Sequence, residues 1–234
     1  MKVEAIHTRI FLEKESIISF IEEHIQPKEN MVIVVTSKIL ALSQGRVVEK
    51  IDDSTREKVI KEESDFALRT KWTWMTIKDN MLLSSAGIDE SNADGKIILL
   101  PRDCFKEAEK IRTYFCEKYS IKNLGIVITD SRSILLRWGA VGMATGYAGF
   151  RGLKNYVGTP DIFGHKLKVS RVNVPDSLAA AAVLCMGEGN EQQPLAVISD
   201  IDLEWSEVVN ESELEVEPHD DIFHPLFDNL PGLK

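Results

Sequence analysis

Strands and helices interleave along this sequence, which places the chain in the α/β class with a mixed α+β sheet. Three observations predict that class. Met31–Thr36 and Leu124–Thr129 are short, β-branched apolar runs of the kind that fill buried strands. Asp103–Tyr119 spaces Phe105, Ala108, Ile111 and Phe115 for one face of a helix. The chain has 234 residues, enough for one large domain or two small ones around a buried core.

The elements follow in order. Lys2–Ile10 alternates apolar and polar residues and reads as a strand. Lys14–Ile25 puts Ile17, Ile18, Ile21 and Ile25 at helical spacing, and Pro27 ends that helix. The strand Met31–Thr36 runs straight into Ser37-Lys38. Thr55–Arg69 reads as a helix, with Val59, Phe66 and Leu68 only roughly on one face. Trp72–Ile77, Met81–Leu83 and Ile97–Leu100 read as strands. Between them Ala86–Lys96, with Gly87, Asp89, Asn92 and Gly95, must be a loop. After the helix Asp103–Tyr119, the strand Leu124–Thr129 ends in Asp130-Ser131. Lys166–Val174 alternates as a further strand. Asp176 is placed to N-cap an alanine-rich helix from Ser177 to about Met186, which Gly187 ends. Leu195–Ser199 is the last core strand.

From about residue 200 the composition changes. Asp200, Asp202, Glu204, Glu207, Glu211, Glu213, Glu215 and Glu217 carry much of the formal net charge of -9. The expected organisation is one folded domain over 1–200 and an acidic C-terminal extension over 201–234, a solvated arm whose Trp205, Ile222, Phe223, Leu226 and Phe227 dock its end. A negative surface repels nucleic acid and anionic membrane, so neither is expected as a partner. Cys104, Cys116 and Cys185 make neither a disulfide framework nor a zinc site, as reduced cytoplasmic thiols do not. Residues 1–13 lack the apolar run of a signal peptide, and no run of about 18 apolar residues suggests a membrane span.

Five constellations can carry chemistry. Ala86–Asn92 and Ile128–Ser131 each hold a carboxylate in a turn or at a strand end, rigid yet reaching solvent. Two such groups from different segments can converge on Mg²⁺ or Mn²⁺, which take oxygen ligands. Ordinary turn capping by Asp and Asn is the alternative. Met186–Glu191 follows the alanine-rich helix, and its glycines permit close backbone approach to a ligand or simply terminate the helix. Lys38 at a strand exit can meet a phosphate, or lie on the surface. Gly139, Gly142, Gly146 and Gly149 repeat at spacings of three and four, as on one helical face, and read as close backbone packing, at a subunit contact or within the chain, with a phosphate cradle as the alternative. There is no P-loop and no dinucleotide fingerprint. His165 lies near Asp161, and the other histidines show no metal spacing.

In this order the segments resemble the F420-0:gamma-glutamyl ligase family. The matching stretches are Val34–Ile39, Ser85–Asn92, Leu99–Pro101, Gly125–Ser131, Thr159–Gly164 and Asp176–Ala182 leading to Met186-Gly187. The resemblance implies an α/β fold peculiar to that family and an intertwined homodimer. It also implies a ligase that adds L-glutamate to an acceptor carboxylate through an acyl phosphate, using GTP or ATP and Mg²⁺ or Mn²⁺. Carried over by position, Asp89, Asp130, Ser131 and Glu188 are metal ligands. Ser37, Lys38, Asn92, Met186, Gly187 and Gly189 contact the nucleotide, and no protein nucleophile is assigned. After Asp130-Ser131 the chain reads Arg132–Arg137 where family members continue Phe-Gly-Arg-Pro, and Leu42 stands where a second lysine is common. The acceptor therefore stays open between F420-0 and folate, beside a homologue that binds nucleotide and metal without catalysis.

Overall fold

A computed structural model describes residues 1–50, 52–217 and 219–227. Along the chain run β1 (Lys2–Ile6), α1 (Ile17–His24), β2 (Met31–Thr36), α2 (Ser37–Ser43), β3 (Val47–Glu49) and α3 (Asp53–Glu62). Then come β4 (Phe66–Arg69), β5 (Trp74–Lys78), β6 (Met81–Ser84), a 3-10 turn (Ser85–Gly87), β7 (Lys96–Ile98), α4 (Cys104–Tyr119), β8 (Leu124–Ser133) and β9 (Ala140–Ala148). The last elements are β10 (Leu153–Asn155), β11 (Arg171–Asn173), α5 (Val174–Met186), β12 (Leu195–Ser199) and α6 (His224–Phe227). The chain is a mixed α/β protein, as the sequence predicts.

It divides into two compact units, Met1–Gly45 with Pro101–Glu213, and Arg46–Leu100 with Leu214–Lys234. The first is built on a five-stranded mixed sheet of order β1-β12-β2-β8-β9. Only β2 and β8 run parallel, with Thr36 opposite Thr129. On one face α1, α2 and α4 bury Phe20, Ile21, Leu40, Ile111 and Phe115 against Ile33, Val35, Ile126 and Ile128. On the other face lies α5, whose small side chains Ala179 and Ala182 are fully buried.

Glycines set how closely these layers approach. Ile128 pairs with Gly146 but Thr129 pairs with Ala144, so Thr145 is an extra residue in β9. Strict alternation would put Gly142 and Gly146 on the same side, and the bulge puts them on opposite sides. A Cβ on Gly142 would lie 2.5 Å from the carbonyl oxygen of Ala179 in α5. One on Gly146 would lie 2.5 Å from the carbonyl carbon of Cys104 at the start of α4. Close backbone packing holds at Gly142, Gly146 and Gly149 and not at Gly139, where a Cβ would have nothing within 4 Å, and the stripe runs along and beyond a strand, not a helix.

Beyond Ala148 the chain receives part of the acidic segment. Arg151 N donates to Glu204 O at 2.8 Å and Ser206 N to Gly149 O at 3.0 Å. The Glu213 carboxylate accepts from the Tyr147 hydroxyl at 2.5 Å and from Gly152 N at 2.6 Å. Burial, reinforced by that carboxylate, pushes the Tyr147 hydroxyl pKa well above its ordinary value.

In the second unit β4, β5 and β6 form an antiparallel meander, and β3 pairs with β7. Asp79 and Asn80 both have positive φ (50° and 57°), the backbone of a two-residue hairpin turn. Val59 of α3 packs on Ile97 and Leu99. Glu63 is held by Arg46 at 2.6 Å and Lys78 at 3.0 Å. Burial raises its pKa, but the hydrogen bonds from Arg46 and Lys78 outweigh burial and keep it below the usual carboxylate range.

Several boundaries differ from the sequence reading. β1 stops at Ile6, opposite Leu195, because Pro194 ends the partner strand. α1 begins only after Lys14, whose φ of 63° is not helical, with Ser16 as N-cap. Thr55–Arg69 is two elements. A helix capped by Asp52 ends at Glu62, and Phe66–Arg69 pairs with β5. The poor helical face of Phe66 and Leu68 follows from that. β8 continues through Asp130 and Ser131 to Ser133, because β9 pairs with it there. Only Arg171–Asn173 of the segment 166–174 is strand. Asn173, not Asp176, caps α5, accepting from Asp176 N at 3.0 Å with Pro175 in the first turn. At the C-terminal end Ile222 and Leu226 are exposed, not docked, and the Phe227 side chain lies outside what is described.

Candidate metal and phosphate site

The parallel register of β2 and β8 creates the first contact of the site. β2 ends at Thr36 and turns at once into α2, so Ser37 arrives beside the residue after Thr129. Ser37 Oγ donates to Asp130 Oδ1 at 3.0 Å. Ser37 is 7% exposed, and this bond satisfies its buried hydroxyl. Lys38 follows in α2, half-buried.

Ser131 pairs with Gly142, over which α5 passes closely. The helix ends at Gly187, whose φ of 83° lets the chain turn away. The next residue returns to β8, and Ser131 Oγ donates to Glu188 Oε1 at 2.5 Å. Glu191 folds back so that its carboxylate accepts from Gly189 N at 2.8 Å, and a Cβ on Gly187 would overlap that carboxylate. Both glycines therefore allow a tight loop. The Met186 side chain is buried in the core, so that residue meets the loop only through its backbone.

The first unit thus brings Ser37 to Asp130 on the α2 side of the sheet and Glu188 to Ser131 on its α5 side, at adjacent residues of β8 whose side chains leave opposite faces. Every donor is a hydroxyl or carboxylate oxygen, the set that hard divalent cations prefer. The donor chemistry fits Mg²⁺ or Mn²⁺. Among the described residues no three His, Cys, Asp or Glu side chains form a ready metal cluster. An ion here would fill its shell with hydroxyl, water and substrate oxygens, as Mg²⁺ commonly does.

Asp89 and Asn92 belong to the second unit. Asp89 exchanges both backbone bonds with Ile98, each 2.9 Å, and its Oδ1 accepts from Ser91 N at 2.6 Å in an Asx turn. The approach to it is unusual. Ser85, Ala86 and Gly87 all have positive φ (53°, 58° and 70°). For the two residues with a Cβ this costs about 1–2 kcal/mol each. Thr76 Oγ1 accepts from Ala86 N at 2.7 Å, and Arg56 donates to Ser85 Oγ at 3.2 Å, which hold the turn. Strain of this kind collects at functional sites. Asn92 has φ of 52°, which asparagine tolerates. Glu90, between them, pairs with Lys50 at 2.7 Å and Arg56 at 2.6 Å, and the Lys50 hydrogen bond first of all lowers its pKa.

The sequence names Asp176 and Arg132 but assigns neither to the site. Asp176 Oδ1 accepts from Ala144 N of β9 at 2.9 Å. Its Oδ2 accepts from Asn173 Nδ2 at 3.0 Å and from the Arg132 guanidinium at 3.4 Å. The signals were an aspartate at a helix start, which reads first as a cap, and its place at the head of the family-like stretch Asp176–Ala182.

Among the described residues no helix is long and apolar enough to cross a membrane. Residues 5–200 match the family model described as F420-0:Gamma-glutamyl ligase. The chain is 30% identical over 204 residues to a protein of Archaeoglobus fulgidus named Coenzyme F420:L-glutamate ligase, covering 80% of this chain and 82% of the relative. Proteins of the same name from Methanococcus maripaludis and Methanocaldococcus jannaschii are each 33% identical, over 189 and 187 residues, covering 79% of this chain and 72% of the relative. The chain belongs to the F420-0:gamma-glutamyl ligase family.

Proposed function

We propose that this chain is a cytoplasmic ligase that joins L-glutamate by an amide bond to an acceptor carboxylate, F420-0 first among the candidates, with GTP or ATP consumed. The observation that carries the reading is the pair of oxygen contacts on adjacent residues of β8, Ser37–Asp130 and Ser131–Glu188, in a chain of this family.

A carboxylate and an amine do not condense in water unless the carboxyl oxygen is first made a leaving group. The acceptor carboxylate attacks the terminal phosphate of the nucleotide, which releases the nucleoside diphosphate and leaves an acyl phosphate. The glutamate nitrogen then attacks the acyl carbon. The carbon–nitrogen bond forms, the carbon–oxygen bond to phosphate breaks, and the amine proton leaves with the phosphate.

By the family resemblance Asp130, Ser131, Glu188 and Asp89 would be the ligands of the divalent ion. That ion would supply positive charge to the polyphosphate. Ser37 fixes the Asp130 carboxylate by donating to it. Lys38 adds a fixed positive charge for phosphate. Gly187, Gly189 and the Met186 backbone offer a close approach to the nucleotide, with Asn92 as a further contact. No side chain serves as nucleophile, and rate comes from positioning and electrostatics.

A homodimer is part of the proposal. Leu136 and Trp138 at the β8–β9 turn are fully exposed, and Ile162 and Phe163 mostly so, apolar side chains that a second copy would cover.

The test is an acceptor screen. Protein, glutamate, Mg²⁺ or Mn²⁺ and GTP or ATP are incubated with F420-0 or folate, and products are weighed by mass spectrometry. A product heavier by one glutamyl residue, with one nucleoside diphosphate released per bond, is expected. Nucleotide binding without diphosphate release under every acceptor would identify a non-catalytic homologue.

A further inference from the structure

The carboxylate of Asp176 does more than start a helix. Its two oxygens reach three segments. Oδ1 takes the Ala144 amide of β9, and Ala144 stands opposite Thr129, next to the Asp130–Met143 pair. Oδ2 takes Arg132, the residue after Ser131 in β8, and Asn173, the residue that caps α5. One side chain therefore ties the first turn of α5 to both strands of the β8–β9 hairpin at the level of the candidate site.

The far end of the same helix carries Glu188, just past Gly187, and Glu188 meets Ser131. The two attachments lie near the start and just past the end of the thirteen-residue helix. An α-helix is stiff along its axis, so the place where its start is pinned sets where its end is delivered. The Gly142–Ala179 approach supplies the fulcrum without a hydrogen bond of its own. Asp176 is mostly buried, with a side-chain exposure of 21%, so its bonds face little competition from water.

We infer that Asp176 is a positioning residue for the metal-binding oxygens: by fixing α5 on β9 and Arg132, it holds Glu188 against Ser131. The inference rests on the proposed metal-dependent ligase reading. Asp176 itself touches neither metal nor substrate in this account.

The test measures Mn²⁺ binding to the full chain by electron paramagnetic resonance, without nucleotide, beside amide exchange at Ala144 and thermal denaturation. Asp176→Ala removes all three bonds. Outer partners of metal ligands typically matter by 10–100-fold in affinity, so binding is expected to weaken by about tenfold or more. Asp176→Glu keeps the charge but is one methylene too long for Ala144, and carries the same expectation should Asp176→Ala not fold. Asp176→Asn keeps an oxygen for Ala144 N but turns its amide nitrogen toward the Arg132 and Asn173 donors, so it is expected to keep the slow exchange of that amide and an affinity between wild type and Asp176→Ala. A purely structural role would lower the melting temperature of Asp176→Ala and Asp176→Glu while the folded protein bound Mn²⁺ as wild type does, and that result overturns the inference. Equal loss in Asp176→Asn and Asp176→Ala also overturns it. Wild-type protein that binds no Mn²⁺ removes the metal reading itself and this inference with it, a failure visible before any variant is made.

Discussion

Replacing Gly142 by alanine tests how the site is assembled. The new Cβ would lie 2.5 Å from Ala179 O, 2.7 Å from Val183 Cγ2 and 2.8 Å from the Ala179 carbonyl carbon. Two of these three atoms are α5 backbone, which no rotamer change can move aside. Either the helix lifts off β9 or the strand bends. Overpacking of this kind costs about 1–3 kcal/mol, and a clash with backbone belongs at the upper end, about 3 kcal/mol. For a chain of this size each kcal/mol lowers the melting temperature by about 2–4 °C, so a drop of about 6–12 °C is expected. Because α5 also delivers Glu188 to Ser131, Gly142→Ala should weaken Mn²⁺ binding in the protein that remains folded. Gly146→Ala is the matched control. Its Cβ would meet Cys104 and Phe105 backbone at 2.5 Å and 2.7 Å, on the opposite face, against a helix that carries no site residue. It should lose comparable stability and keep its affinity for Mn²⁺. The assay is calorimetry paired with Mn²⁺ titration. A Gly142→Ala protein with wild-type melting temperature refutes the packing argument. Equal affinity loss in both variants refutes the link between α5 and the site.

Three further outcomes follow from the same structure. Asp130→Asn keeps an oxygen for the Ser37 hydroxyl, so circular dichroism should be unchanged while metal-dependent glutamate ligation falls by more than about a hundredfold; retained turnover rejects the role of Asp130. Glu63→Gln loses charge-assisted bonds from Arg46 and Lys78 and should destabilise the second unit by about 1–3 kcal/mol at neutral pH in urea unfolding. Because the folded Glu63 has a depressed pKa, its contribution is present above the unfolded value near 4.3 and is lost as pH falls through the folded value. The gap between wild type and variant should therefore close on acidification below about pH 4, and a constant gap would contradict the ion-pair account. Trp138→Asp, at a fully exposed position, should leave the melting temperature nearly unchanged and shift the light-scattering mass from two chains to one. An unaltered mass would remove Trp138 from the association surface.

What the sequence could reveal depended on the range of the physics involved. Met31–Thr36 was legible in full because a buried strand announces itself by composition alone. Cys104–Tyr119 was legible within one residue because its apolar face repeats at 3.6. Residues 130–133 read as the exit of β8 because they are polar, yet they remain strand, since Ala140–Met143 of β9 supply their partners. The glycines of β9 mimic a helical repeat because a bulge at Thr145 lies between Gly142 and Gly146, and a bulge leaves no trace in residue spacing. Phe66–Arg69 was absorbed into the preceding helix because an apolar pair after a helical stretch fits either period.

The site was legible as a set of residues rather than as an arrangement. Ser37 and Asp130 are 93 residues apart, and only the parallel register of β2 and β8 brings them to 3.0 Å. Ser131 and Glu188 meet because α5 returns across the sheet. Asp176 was seen, but its reach to Ala144 and Arg132 depends on that same crossing, which no local rule describes.

The claim on which the account turns is that Asp130, Ser131 and Glu188 form the seat of a divalent ion that grips a nucleotide polyphosphate. A crystal soaked with Mn²⁺ and a non-hydrolysable GTP or ATP analogue, measured at the manganese absorption edge, tests it directly. The account predicts an anomalous peak in direct coordination with oxygens of Asp130 and of Ser131 or Glu188, with nucleotide phosphate completing the shell. Manganese and nucleotide bound elsewhere, with the Ser131–Glu188 bond undisturbed, would contradict it.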